Sequence, residues 1–145
     1  MSFKIENGVL KEYFSENDET AVVIPDSVTS IEKYAFGDFF SGGSRLESIT
    51  IPDSVTSIEE SAFVGCLSLE SITIPDSVTS IGYEAFSDCE NLKFITLPNS
   101  VTNIEKNAFT GCKKLETLTF KGTKLNYKKI LESSASINEI LSALE

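Results

Sequence analysis

The chain has 145 residues, 41% of them hydrophobic, enough for one buried core and too few for two domains of ordinary size. Its formal charge of -10 argues against a nucleic-acid footprint, which needs concentrated Lys and Arg, and the absence of histidine removes every Ser-His-Asp or Cys-His catalytic arrangement. No stretch approaches the roughly 20 apolar residues of a membrane helix, so membrane insertion is not expected.

The opening Met-Ser-Phe-Lys-Ile-Glu lacks the apolar core of a signal peptide. The chain as written is therefore expected in the cytoplasm, and a module excised from a longer protein would be expected at the cell surface or secreted. Phe3-Lys-Ile-Glu and Val9-Leu-Lys-Glu-Tyr flank Asn7-Gly8, a dipeptide preferred in two-residue hairpin turns because both positions tolerate positive φ. Residues 1–20 are predicted to form a β-hairpin cap.

A 23-residue period governs most of the chain beyond this hairpin. Glu-Ser-Ile-Thr-Ile-Pro-Asp-Ser-Val-Thr-Ser-Ile occurs unchanged at 47–58 and 70–81, and the prolines at 25, 52, 75 and 98 are spaced by 27, 23 and 23 residues. The first interval is longer because four extra residues lie between Phe36 and Leu46. A fixed period of this length signals a solenoid whose coils bury their apolar faces only by stacking. The repeats are read as 21–46, 47–69, 70–92 and 93–115, with a partial repeat over 116–125. Within each, Ser-Ile-Thr-Ile alternates as a half-buried strand does. Pro-Asp-Ser then supplies a turn, Val-Thr-Ser-Ile a second short strand, and the Ala-Phe pair with the following Gly-Cys or Asp-Cys a short helical turn. Columns such as Phe36, Phe63, Phe86, Phe109 and Cys66, Cys89, Cys112 stack between coils.

The lysines concentrate late. Residues 1–105 hold 5 basic and 18 acidic side chains (-13), whereas 106–129 hold seven lysines against Glu116 (+6). From Leu125 to Leu144, apolar residues recur at helical spacing, and Ser133 to Ser136 interrupts them. Ser136 with Glu139 has the form of a capping box, which predicts two short helices. Residues 126–145 are read as a helical cap on the last coil. Homo-oligomerisation through these helices is the alternative.

The pattern LxxIxIPxxVxxIxxxAFxxCxx, running from Leu46 and covering residues 22–120, resembles the BspA-like leucine-rich repeats of the Treponema pallidum type. That resemblance implies a curved leucine-rich repeat solenoid of short parallel strands, commonly bacterial or from parasitic protists and often displayed on cell surfaces for adhesion or partner binding. It implies no catalytic residue and no cofactor. The chain departs from the pattern at Phe39 or Phe40, where repeat one would carry Cys, and in the insertion beside them.

Candidate chemistry is sparse. Three cysteines without histidine suit small core residues better than a zinc site, and adjacent coils also bring them within disulfide range. Asp26, Asp53 and Asp76 form a column that Asn99 breaks, which turn preference explains and calcium would also fit. No metal site is assigned. Outward strand positions form hydroxyl ladders of Ser48, Ser71, Thr117 and of Thr50, Thr73, Thr96, Thr119, with Phe94 intruding as a large apolar residue. The candidate binding residues are Phe94, Tyr83, Phe39, Phe40 and the four threonines, presented with the 37–45 loop to a protein partner. A carbohydrate or other surface ligand on the hydroxyl ladders is the alternative.

Overall fold

The computed structural model describes residues 2–37, 43–105, 107–132 and 137–144. Its strands are β1 (Ser2–Glu6), β2 (Val9–Phe14), β3 (Ala21–Val23), β4 (Ser30–Ile31), β5 (Ser48–Thr50), β6 (Ser57–Ile58), β7 (Ser71–Thr73), β8 (Ser80–Ile81), β9 (Phe94–Leu97), β10 (Asn103–Ile104), β11 (Thr117–Phe120) and β12 (Thr123–Asn126). Two short helices complete the chain, α1 (Tyr127–Glu132) and α2 (Ile137–Ser142).

Each coil is a three-sided loop. The Ser-Ile-Thr segments and their counterparts stack in parallel on one side, with β3 against β5 and β7 against β9 against β11. Alternation sets the faces, since Val22, Ile49, Ile72, Ile95 and Leu118 point into the core while their neighbours face out. Proline then ends the strand and begins a turn. Val28, Val55, Val78 and Val101 each donate a backbone N–H to the proline carbonyl three residues back, at 3.1, 3.2, 3.1 and 3.3 Å. The Val-Thr-Ser-Ile segments form the second side, where β4, β6, β8 and β10 pair in parallel.

The third side holds the Ala-Phe pairs. It consists of successive hydrogen-bonded turns, with one short 3-10 helix at Gly43–Arg45. Within a coil, the Cys66 N–H donates to the Phe63 carbonyl; between coils, the N–H groups of Phe36, Phe63 and Phe86 donate to the carbonyls of Ala62, Ala85 and Ala108 at 2.9, 2.8 and 2.8 Å. Alternate amides thus serve the turn and the next coil, which satisfies the backbone without regular helix. The residue before each alanine is left-handed: Tyr34, Ser61, Glu84 and Asn107 have φ of 61°, 54°, 54° and 61°. Of these only Asn favours that region, so the constraint comes from stacking.

Rings fill the interior along the axis. Phe36, Phe63, Phe86 and Phe109 stack with centroids 5.0, 5.1 and 5.9 Å apart, and Tyr13 and Tyr127 extend the column at its two ends. The thiols lie beside them, free and buried. The thiols of Cys89 and Cys112 donate to the carbonyls of Phe63 and Phe86 at 3.2 and 3.1 Å, so they act as small core residues tied to the preceding coil.

The ends depart from the period. β1 and β2 form the expected hairpin through Asn7 (φ 51°) and Gly8 (φ 79°), and β2 pairs in parallel with β4. At the far end the helical cap is read from residue 126, but the structure keeps Asn126 in β12, antiparallel to β11, and helix starts at Tyr127. The reason is a second two-residue turn, Lys121 (φ 49°) and Gly122 (φ 75°), that reverses the chain first. The interrupting residues 133–136, with the Ser136 capping position, lie outside the described residues. Asn138 of α2 reaches back to β10: its Oδ1 accepts from the Ile104 N–H at 3.1 Å and its Nδ2 donates to the Ile104 carbonyl at 3.0 Å.

Candidate binding face

The side formed by β3, β5, β7, β9, β11 and β12 turns two rows of side chains outward. Register places Ser71, Phe94, Thr117 and Asn126 in one row, and Thr73, Thr96, Thr119 and Lys124 in the other. Ala21 with Ser48, and Val23 with Thr50, continue them at the first coils.

The second row is the floor of an open groove of about 610 Å3, lined by all four ladder threonines, Thr50, Thr73, Thr96 and Thr119. Asp53, Asp76 and Asn99 stand along one side, and Lys121 and Gly122 of the last hairpin stand at one end. The Asn99 N–H donates to Asp76 Oδ1 at 3.2 Å, so the turn column is tied together by the side chains its turns prefer. No group of three or more Asp, Glu, His or Cys among the described residues could hold a metal ion. The groove therefore offers hydroxyls, carboxylates and one ammonium, which suit hydrogen bonding to a ligand.

Phe94 is 50% exposed, in the first row between Ser71 and Thr117 and outside the lining of that groove. Tyr83 is also exposed but follows β8 in the turn that begins the third side of the coil. Its carbonyl accepts from the Ser61 N–H at 2.9 Å. The structure thus gathers the four threonines, sets Phe94 beside them and leaves Tyr83 apart. Phe39 and Phe40 lie outside the described residues, as does most of the 37–45 loop. Arg45 at its end pairs with Asp18.

Two contributors escape a columnwise reading. Val23 is 65% exposed at the head of the threonine row, a position that proline alignment alone does not distinguish from Thr50. Lys121 reaches the groove because of a turn that lies outside the repeat.

A family model for the BspA type leucine rich repeat region matches residues 8–137 in six copies. A leucine-rich repeat protein from Bacteroides capillosus is similar over 83% of this chain and 93% of its own, at 30% identity and a TM-score of 0.70. The T. pallidum leucine rich repeat protein aligns with 76% of this chain and 62% of its own, at 28% identity and 0.61. A leucine rich cell surface protein from Faecalibacterium prausnitzii aligns with 88% and 39%, at 31% identity and 0.63. The chain thus spans less than two thirds of the length of the last two. No curated protein matches at a comparable level. No helix among the described residues is long and apolar enough to cross a membrane.

Proposed function

The chain belongs to the BspA-type leucine-rich repeat family, and on that premise we propose that it is a non-catalytic module that binds a protein through its outward strand face. The observation that carries this reading is Phe94. A half-exposed aromatic ring stands between Ser71 and Thr117 in a row whose other members are Ala, Ser, Thr and Asn, beside a polar groove. Large rings rimmed by hydrogen-bonding groups are what protein interfaces use as anchors. Surface display, the setting of the F. prausnitzii cell surface protein, fits this role.

The test is affinity capture with the intact chain and with its Phe94→Ala variant, followed by mass spectrometry and a direct titration of any retained protein. A partner kept by the first and lost by the second supports the reading, and equal affinity for both overturns it.

A carbohydrate reading rests on a separate observation. Thr50, Thr73, Thr96 and Thr119 share one groove with Asp53, Asp76 and Asn99, a mixture of hydroxyls and carboxylates able to hydrogen-bond sugar hydroxyls. Glycan-array binding lost in Thr73→Val, Thr96→Val would favour it.

The terminal elements serve as caps in this reading. The reading of the β1–β2 hairpin and the α1–α2 pair as covers is supported by Tyr13, with Phe3 beyond it, and by Tyr127, which carry the ring column past its phenylalanines. Deleting 126–145 should leave an unstable or aggregating chain. A folded monomer in place of an intact dimer would instead assign the helices to oligomerisation.

A further inference from the structure

Strand β12 has β11 on one edge and no strand on the other among the described residues. The turn at Lys121 and Gly122 makes Phe120 and Thr123 the closing hydrogen-bonded pair, so alternation along the antiparallel ladder pairs Leu125 inward with Leu118. Lys124 consequently directs its backbone N–H and C=O outward, and Asn126 its N–H, while Asn126 also caps α1 by accepting the Lys129 N–H on its Oδ1 at 3.1 Å. Such an edge is a template for a further strand unless something covers it.

The charge beside it is unbalanced. Lys113 pairs with Glu90 at 3.5 Å, and Lys114 donates to Asn91 at 2.7 Å. Lys121 lies over the Phe120 ring at 5.4 Å. Lys124, Lys128 and Lys129 are exposed and have no ion-pair partner among the described residues. A groove of about 410 Å3 lies across β11 and β12 beside this edge, lined by Glu116, Thr117, Lys124, Leu125, Asn126 and Lys128. Residues 106–129 carry +6 in a chain of -10, so this is the one region of the sequence with a strong positive balance. At physiological salt, charges beyond about 8 Å are largely screened, so a ligand here meets the local lysines more than the acidic coils.

We infer that the open edge of β12 is a docking surface for an extended acidic polypeptide segment, which adds as a strand beside Lys124 and Asn126 and places carboxylates on Lys124 and Lys128. Only a backbone supplies donors and acceptors at strand spacing, which selects a polypeptide over other polyanions. The lysines select acidic side chains and hasten their encounter. This rests on the reading of the chain as a protein-binding module and narrows the partner's chemistry. It uses the free edge of β12 and not the side chain of Phe94 on β9, so either can fail alone.

The probe is a short synthetic peptide of alternating Glu and Val, titrated into the intact chain and followed by amide resonances and amide exchange. Binding is expected, weakening as salt rises, with slowed exchange at Lys124 and Asn126. The K124E/K128E variant, its fold checked by circular dichroism, should bind roughly tenfold more weakly, as two exposed pairs become repulsions. K124Q/K128Q should fall between. Phe94→Ala should bind the peptide as the unaltered chain does.

Absence of binding, equal affinity of the reversed variant, or binding without protection at β12 would overturn the inference. So would equal binding of an alternating Lys and Val peptide, of a single-stranded oligonucleotide, or of phosphatidylserine vesicles. Concentration-dependent self-association through this edge would assign it to a second copy of the chain instead.

Discussion

The middle coils and the two ends bury the same kinds of surface by different means. In the middle every column stacks on a copy of itself, as Phe63 does between Phe36 and Phe86, with interplanar angles of 13° and 4°. At the ends the columns are finished by other residues: Tyr13 and Tyr127 for phenylalanine, Leu10 beside Ile31, and a side-chain amide in place of a strand at Ile104. A repeated problem admits one repeated answer, whereas each end needs its own. Periodicity therefore specifies the middle and leaves the ends to local chemistry.

The comparison is broken most severely in the middle. Phe63 is fully buried between two rings, so Phe63→Ala leaves a cavity that neither neighbour can fill without moving its own coil. It should cost about 3–5 kcal/mol, measured as a shift in urea midpoint. Asn138→Ala acts at an end and should cost about 1–3 kcal/mol, because it unmakes both hydrogen bonds to Ile104. Its signature is local. Amide exchange should quicken in α2 and β10 and stay slow at Phe63, since coils far from the lesion keep their neighbours. Equal exchange throughout would mean that the ends and middle open together.

Alkaline pH sharpens the contrast from the C-terminal end. Burial, and next the neighbouring Cys112, pushes the Tyr127 hydroxyl up to about 12 from 10.0. The Cys112 thiol is also raised, through its contact with the Cys89 thiol and then by burial. Both groups stay protonated in the folded chain at a pH where the unfolded chain ionises, so unfolding releases protons. Their contribution is complete below about pH 9 and is lost as pH rises towards 12. Melting temperature should fall over that window, and Tyr127→Phe should flatten the upper part of the decline.

Reading the sequence in columns recovers the buried face because burial repeats. Ile49, Ile72 and Ile95 can be placed without knowing the fold, and so can the Pro-Asp turn and the Asn7-Gly8 hairpin. Reversal at Lys121-Gly122 was not legible, because a lysine in left-handed conformation leaves no compositional trace. The boundary read at residue 126 therefore takes Asn126, the last residue of β12, into the helix. The left-handed Tyr34, Ser61 and Glu84 are invisible for the same reason: their conformation is imposed by the coil above. Of the binding face, the threonine ladder and Phe94 emerge from alternation, while the proximity of Asp53, Asp76 and Lys121 to that ladder depends on how the turns fold over the groove.

The smallest stability effect belongs to the residue proposed to matter most for binding. Phe94 is half exposed and its cross-strand neighbours Ser71 and Thr117 are small, so the ring contributes little to the core. Replacing it by threonine restores the column's usual chemistry and retains β-branching suited to a strand. Phe94→Thr should change stability by no more than about 0.5 kcal/mol. Affinity for a protein held on the strand face should nevertheless fall by about 2 kcal/mol or more, roughly thirtyfold, if the ring is an anchor. The dissociation between the two measurements is what matters. A core residue such as Phe63 loses stability and binding together, whereas a ring kept for recognition loses binding alone. A loss of stability comparable to that of Phe63→Ala would place Phe94 among the structural columns and remove it from the interface.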